Sequence, residues 1–85
     1  MVQVVVPSML AAQAEGRRSF DVEASTVGAA LRALPVADLV FNEHGLLVPH
    51  LNVYVDGTDH RELGGVEGPL GAAREIRVVA MVSGG

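Results

Sequence analysis

The chain has 85 residues and a formal net charge of −4, which bounds it to about one small domain. A domain of this size buries only about 60–65% of the surface that its unfolded chain exposes, so it has room for one thin core and no deep enzyme pocket. Apolar residues make up 49% of the chain and aromatic residues 4%, a globular rather than a disordered composition.

Several function classes drop out at once. The acidic balance argues against nucleic-acid binding through phosphate neutralisation. No apolar run approaches the roughly 18 residues of a membrane span. The opening Met1-Val2-Gln3-Val4-Val5-Val6 has no basic segment before its apolar stretch, unlike a signal peptide. There is no cysteine, which removes disulfides, thiolate catalysis and cysteine-bound metals and fits the cytoplasm best. All six basic residues are arginine. Without lysine there is no P-loop and no Schiff base.

In chain order, Val2, Val4 and Val6 alternate with Gln3 and Val5 as a first strand, stopped by Pro7. After a loop, residues 17–23 alternate again with Phe20 and Val22 inward, and Gly16 suits a turn between two antiparallel strands. A helix follows. Ser25 or Thr26 can cap it, and Val27, Leu31 and Leu34 form a single apolar stripe. Pro35 interrupts the stripe; residues 36–41 continue for a helical turn or two, and Asn42-Glu43-His44-Gly45 is turn chemistry.

Leu51-Asn52-Val53-Tyr54-Val55 alternates clearly and closes on the tight-turn pair Asp56-Gly57. Asp59-His60-Arg61 begins a short return strand, and Gly64 to Gly71 is a glycine-rich connection that steers backbone. The last strand runs from Glu75 to Val82, with Ile76, Val78, Ala80 and Val82 on one face and Arg77, Val79 and Met81 on the other. Apolar on both faces from Val78 onward, it belongs in the centre of the sheet.

This order predicts an α+β chain with the β-grasp (ubiquitin-like) fold. A mixed sheet of four to five strands carries one main helix on one face, the first and last strands being parallel neighbours. Residues 1–82 form the domain and 83–85 a flexible tail. The sheet face away from the helix has no covering element, which marks Val5, Tyr54, Val79 and Met81 as a partner surface.

The residues then carry a resemblance. Phe41-Asn-Glu-His-Gly45, Leu51-Asn-Val-Tyr-Val-Asp-Gly57, Asp59-His-Arg61 and the terminal Val82-Ser-Gly-Gly85 resemble the MoaD/ThiS family of sulfur carriers. The Asn-Val-Tyr-Val strand followed by Arg61 and Gly64-Gly65 looks closest to the cysteine-biosynthesis type. The resemblance covers the second half of the chain; the first half agrees in pattern. The sequence departs from the family at Ala72-Ala73-Arg74-Glu75, where an Asp-Gly-Asp turn is usual, and at Ala80-Met81, where a proline is usual.

The resemblance implies a protein that binds no cofactor and is itself a substrate of enzymes. A ubiquitin-activating-type enzyme would use ATP to adenylate the carboxylate of Gly85. A sulfur donor would convert it to a thiocarboxylate, and a biosynthetic enzyme would accept the sulfur. Two terminal glycines suit a tail that threads into an enclosed site, because neither Gly84 nor Gly85 carries a Cβ. The same resemblance admits a small subunit of molybdopterin synthase or a protein modifier joined through Gly85. A plain interaction module with incidental glycines is the reading without it.

Tyr54, Arg61, Val79, Met81 and Ser83 are the expected partner contacts. His44, His50 and His60 lack metal-ligand spacing and read as loop or surface histidines. Glu43 and Glu62 read as solvated. Ser83 is not followed by the strand-to-helix turn of a nucleophile elbow.

Overall fold

The computed structural model describes residues 1–81. Val82, Ser83, Gly84 and Gly85 lie outside the described residues, and with them the expected tail and the last position of the final strand.

Alternation builds the sheet. β1 spans Val2–Val5, β2 Ser19–Val22, β3 Leu51–Val55, β4 Thr58–Asp59 and β5 Glu75–Ala80. They form one sheet in the order β2-β1-β5-β3-β4. β1 and β2 are antiparallel, β1 and β5 parallel, and β5 and β3 antiparallel. The strand that is apolar on both faces is therefore the central one, because only there are both edges paired. Val4, Val53, Ile76 and Val78 are fully or almost fully buried on its inner face. This is the β-grasp architecture that the element order predicts.

The helical layer is short, for identifiable reasons. α1 spans Ser8–Ala11, α2 Val27–Arg32 and α3 Ala37–Val40. Thr26 caps α2 by accepting a hydrogen bond from the Ala29 N–H at 3.1 Å, satisfying one of the helix's orphan donors. Pro35 ends it, since the residue before a proline is pushed out of helical geometry. Val27, Leu31 and Leu34 are all buried, so the predicted stripe is the face that packs on the sheet. The Arg32 guanidinium lies 4.8 Å from the Phe41 ring centroid and bridges α2 to the segment after α3.

The glycine-rich connection lies against α2. Val27 N–H donates to the Gly68 carbonyl at 3.1 Å and Leu70 N–H to the Ser25 carbonyl at 2.9 Å. A Cβ on Gly28 would come within 3.0 Å of the Val66 carbonyl oxygen. Glycine at that helical position is what permits so close an approach.

Three expectations need correction. The segment between β1 and β2 is not an open loop: α1 and the 3₁₀ turn Ala12–Ala14 bury Leu10, Ala11 and Ala14. One helical turn has too short a period to be read from a sequence. The return strand ends at Asp59, and His60–Leu63 is a 3₁₀ turn. The Asp59 carboxylate causes this by accepting the Arg61 N–H at 2.9 Å, a local bond that competes with the strand ladder. His60 is not a surface histidine. It is 7% exposed, with Nδ1 3.1 Å from the Val53 carbonyl oxygen, because the 3₁₀ turn folds its ring back against β3. Among the described residues no group of histidines and carboxylates is arranged to hold a metal ion. No described helix is long and apolar enough to cross a membrane.

Candidate docking face

One face of the sheet carries the helices and the other carries none. Residue alternation and register decide what the open face displays. Val5, Arg77 and Tyr54 lie in one cross-strand row, and Val79 with Asn52 in the next. Met81 continues β5 by one position, its N–H donating to the His50 carbonyl at 2.7 Å. The Met81 sulfur is in contact with the Asn52 side-chain nitrogen at 2.6 Å. Val79 is 38% and Met81 54% exposed, while Tyr54 and Val5 are half-buried. The apolar residues thus cluster toward the end of β5 from which the chain continues to Gly85.

Three of the expected contacts, Tyr54, Val79 and Met81, are brought together on this face. Arg61 lies in the 3₁₀ turn after the edge strand β4, beside this cluster, because its partner Asp59 is the cross-strand neighbour of Tyr54. Its guanidinium holds both oxygens of Asp59, Nε to Oδ1 at 3.1 Å and Nη2 to Oδ2 at 2.8 Å. Ser83, Gly84 and Gly85 lie outside the described residues. Two residues that the sequence did not single out also reach this end of the molecule. Met9, 53% exposed, and Arg18 border the open face beside Val79. No sequence signal marked them, since both lie in segments whose path depends on α1.

Arg61 fixes the charge of its neighbour. Hydrogen bonds from its guanidinium, and then from its backbone N–H, hold the Asp59 carboxyl well below the usual carboxylate range. The folded-state pKa is depressed, so the contribution to stability is present above the ordinary carboxylate pKa of about 3.9. It is lost as the pH falls through the folded-state value. A ¹³C NMR titration of the Asp59 carboxyl should show a midpoint well below the ordinary one, and Arg61→Ala should move it upward. A midpoint unchanged by that substitution would show that the guanidinium is not the cause.

The fold has counterparts among solved structures. CysO of Mycobacterium tuberculosis superposes with a TM-score of 0.82 at 22% identity, covering 96% of this chain and all of that one. A chain of the Amycolatopsis orientalis BexX/CysO complex superposes with a TM-score of 0.81 at 26% identity, with both chains fully covered. SAMP1 of Haloferax volcanii gives a TM-score of 0.75 at 31% identity, covering 99% of this chain and 98% of that one. No family model and no curated protein matches the sequence.

Proposed function

Because the chain belongs to the ubiquitin-like sulfur carriers and modifiers of the MoaD/ThiS type, we propose that it delivers sulfur as a thiocarboxylate on Gly85. The observation that carries the reading is the Gly84-Gly85 ending of the sequence, which follows the central strand Glu75–Ala80 of a fold shared along the length of the chain with these relatives.

The chemistry runs in two balanced steps. A carboxylate is a poor electrophile until its oxygen becomes part of a better leaving group. The Gly85 carboxylate attacks the α-phosphorus of ATP in an activating enzyme, pyrophosphate departs, and an acyl-adenylate remains. A sulfur nucleophile then displaces AMP and leaves the thiocarboxylate, a softer nucleophile than the carboxylate. Gly84 keeps the approach free of a side chain. Val79, Met81 and Tyr54 dock on the enzyme, with Ser83 and Arg61 making polar contacts, and the protein contributes no catalytic group of its own. That one of its counterparts was solved as a BexX/CysO complex supports a docking role. The acceptor is a biosynthetic enzyme, and the cytoplasm is the compartment that suits the ATP-dependent loading.

A second reading has a specific observation in its favour. A relative of 31% identity is SAMP1, which is a small archaeal modifier protein. A modifier would use the same adenylate but give it up to an amine of another protein. Intact-mass analysis of protein incubated with an activating enzyme, ATP and sulfide separates the two. A carrier gives a species in which one Gly85 oxygen is replaced by sulfur. A modifier in the host gives heavier adducts that survive denaturant and thiol. Free carboxylate alone, under loading conditions, overturns both.

Docking has its own test. Met81→Asp places a charge in the exposed apolar cluster and should weaken association with the activating enzyme about tenfold, or roughly 1.4 kcal/mol. Thermal unfolding should stay unchanged because Met81 is outside the core. Undiminished binding would remove Met81 from the docking face.

A further inference from the structure

The open face holds a second feature, which forms where β1 leaves the sheet. β1 and β5 pair only as far as Val5 opposite Arg77, whereas β5 runs on to Ala80. On its other side, Asp56 N–H donates to the Glu75 carbonyl and Met81 N–H to the His50 carbonyl. The odd-numbered residues of β5 therefore direct their backbone groups at β3. The even-numbered ones, Val78 and Ala80 among them, direct theirs the opposite way, by the alternation of a strand.

In that direction the parallel register brings Pro7 to the Val78 carbonyl, and proline has no N–H to give. Val6 N–H is already engaged with the Arg18 carbonyl at 2.8 Å. The Val78 carbonyl and the Ala80 N–H are thus left without a main-chain partner among the described residues. They open into a groove of about 470 Å³. Pro7, Met9 and Arg18 form the wall facing β5. Arg77 is paired with Glu75 at 3.2 Å, while Arg18 is in no ion pair among the described residues.

We propose that this groove receives an extended segment of a partner protein. The segment adds to β5 through the Val78 carbonyl and the Ala80 N–H and presents a carboxylate to Arg18. An unpaired acceptor and donor at strand spacing are what an added strand recognises, with side-chain surroundings supplying the selectivity. Here those surroundings are the exposed Met9 and Val79, which take apolar side chains, and one arginine. The groove has β5 on one side and Pro7, Met9 and Arg18 on the other, and the proposed occupant is one extended chain lying between them. A second copy also carries the same −4 charge, and that repulsion opposes self-association. The inference does not depend on the chemistry of the tail and stands or falls separately from it.

Amide NMR titration with a short capped peptide of alternating valine and aspartate tests it. Shifts should concentrate at Val78 to Ala80 and at Met9, with the Ala80 amide moving downfield as it gains an acceptor. The same peptide N-methylated along its backbone should lose binding, a control that leaves the protein's fold untouched. Arg18→Glu should weaken the aspartate peptide about tenfold and improve a valine–lysine counterpart. Scattered shifts, or shifts on the outer edge of β2, would overturn the proposal, as would their absence at millimolar peptide. The same shifts on concentrating the protein alone would overturn it in favour of a second copy.

Discussion

Deleting Gly84-Gly85 should abolish sulfur loading while leaving the domain as stable as before. The reacting carboxylate would then belong to Ser83, two residues short of its present reach and next to a side chain. A misplacement of about 1 Å at a reacting centre costs roughly a hundredfold in rate, and one residue of extended chain spans about 3.3–3.6 Å. The loaded species should therefore fall below detection by intact mass. The buried core lies between Val2 and Val78, so the denaturation midpoint should shift by less than about 0.5 kcal/mol in equivalent stability. Docking should survive in part, because Val79 and Met81 remain. Continued loading of the shortened protein would assign the chemistry elsewhere, and a large loss of stability would make the tail part of the fold. Gly84→Ala is the finer probe: it keeps the carboxylate and adds only a Cβ, so loading should slow without ceasing.

Leu31→Ala should be the most damaging single truncation in the core. Leu31 is fully buried and is, with Ile76, among the largest such side chains. It lies on α2, which is only six residues long. A helix that short has little stability of its own and depends on packing. Truncating a buried leucine costs about 2–5 kcal/mol, the upper end applying where the cavity cannot collapse. At roughly 0.05–0.15 kcal/mol per residue, the loss is a large fraction of what a domain of this length holds. Urea unfolding should show a lower midpoint with little change in slope. Leu46→Ala is the internal control: this residue is 64% exposed, and the midpoint should hardly move. Equal effects from the two substitutions would contradict the core described above.

Much of the fold was legible because its determinants are local. Val2, Val4 and Val6, then Leu51, Val53 and Val55, then Ile76 and Val78 are each buried as their alternation predicts. The Asp56-Gly57 turn takes positive φ at both residues, 49° and 86°, as that pair predicts. Even the central position of β5 follows from its own residues, since a strand apolar on both faces is stable only with both edges paired. The open face was legible by subtraction. One short helical stripe can cover only one side of a sheet, which left Tyr54, Val79 and Met81 together on the other.

The sequence by itself thus determined the strands, the helix, their order, and the diglycine on which the proposed chemistry depends. Tertiary structure alone decided the surroundings of particular side chains. The spacing of His60 says nothing of its burial, which arises because Asp59 captures the Arg61 N–H and turns the chain under β3. That same bond pattern ties the Arg61 guanidinium to Asp59, the cross-strand neighbour of Tyr54. Met9 and Arg18 come beside Val79 only because Pro7 ends one pairing and α1 folds the chain back. The physical reason is range. Periodicity and turn chemistry are written in neighbouring residues, whereas burial, ion pairing and an unpaired strand edge depend on which distant segments the fold brings into contact.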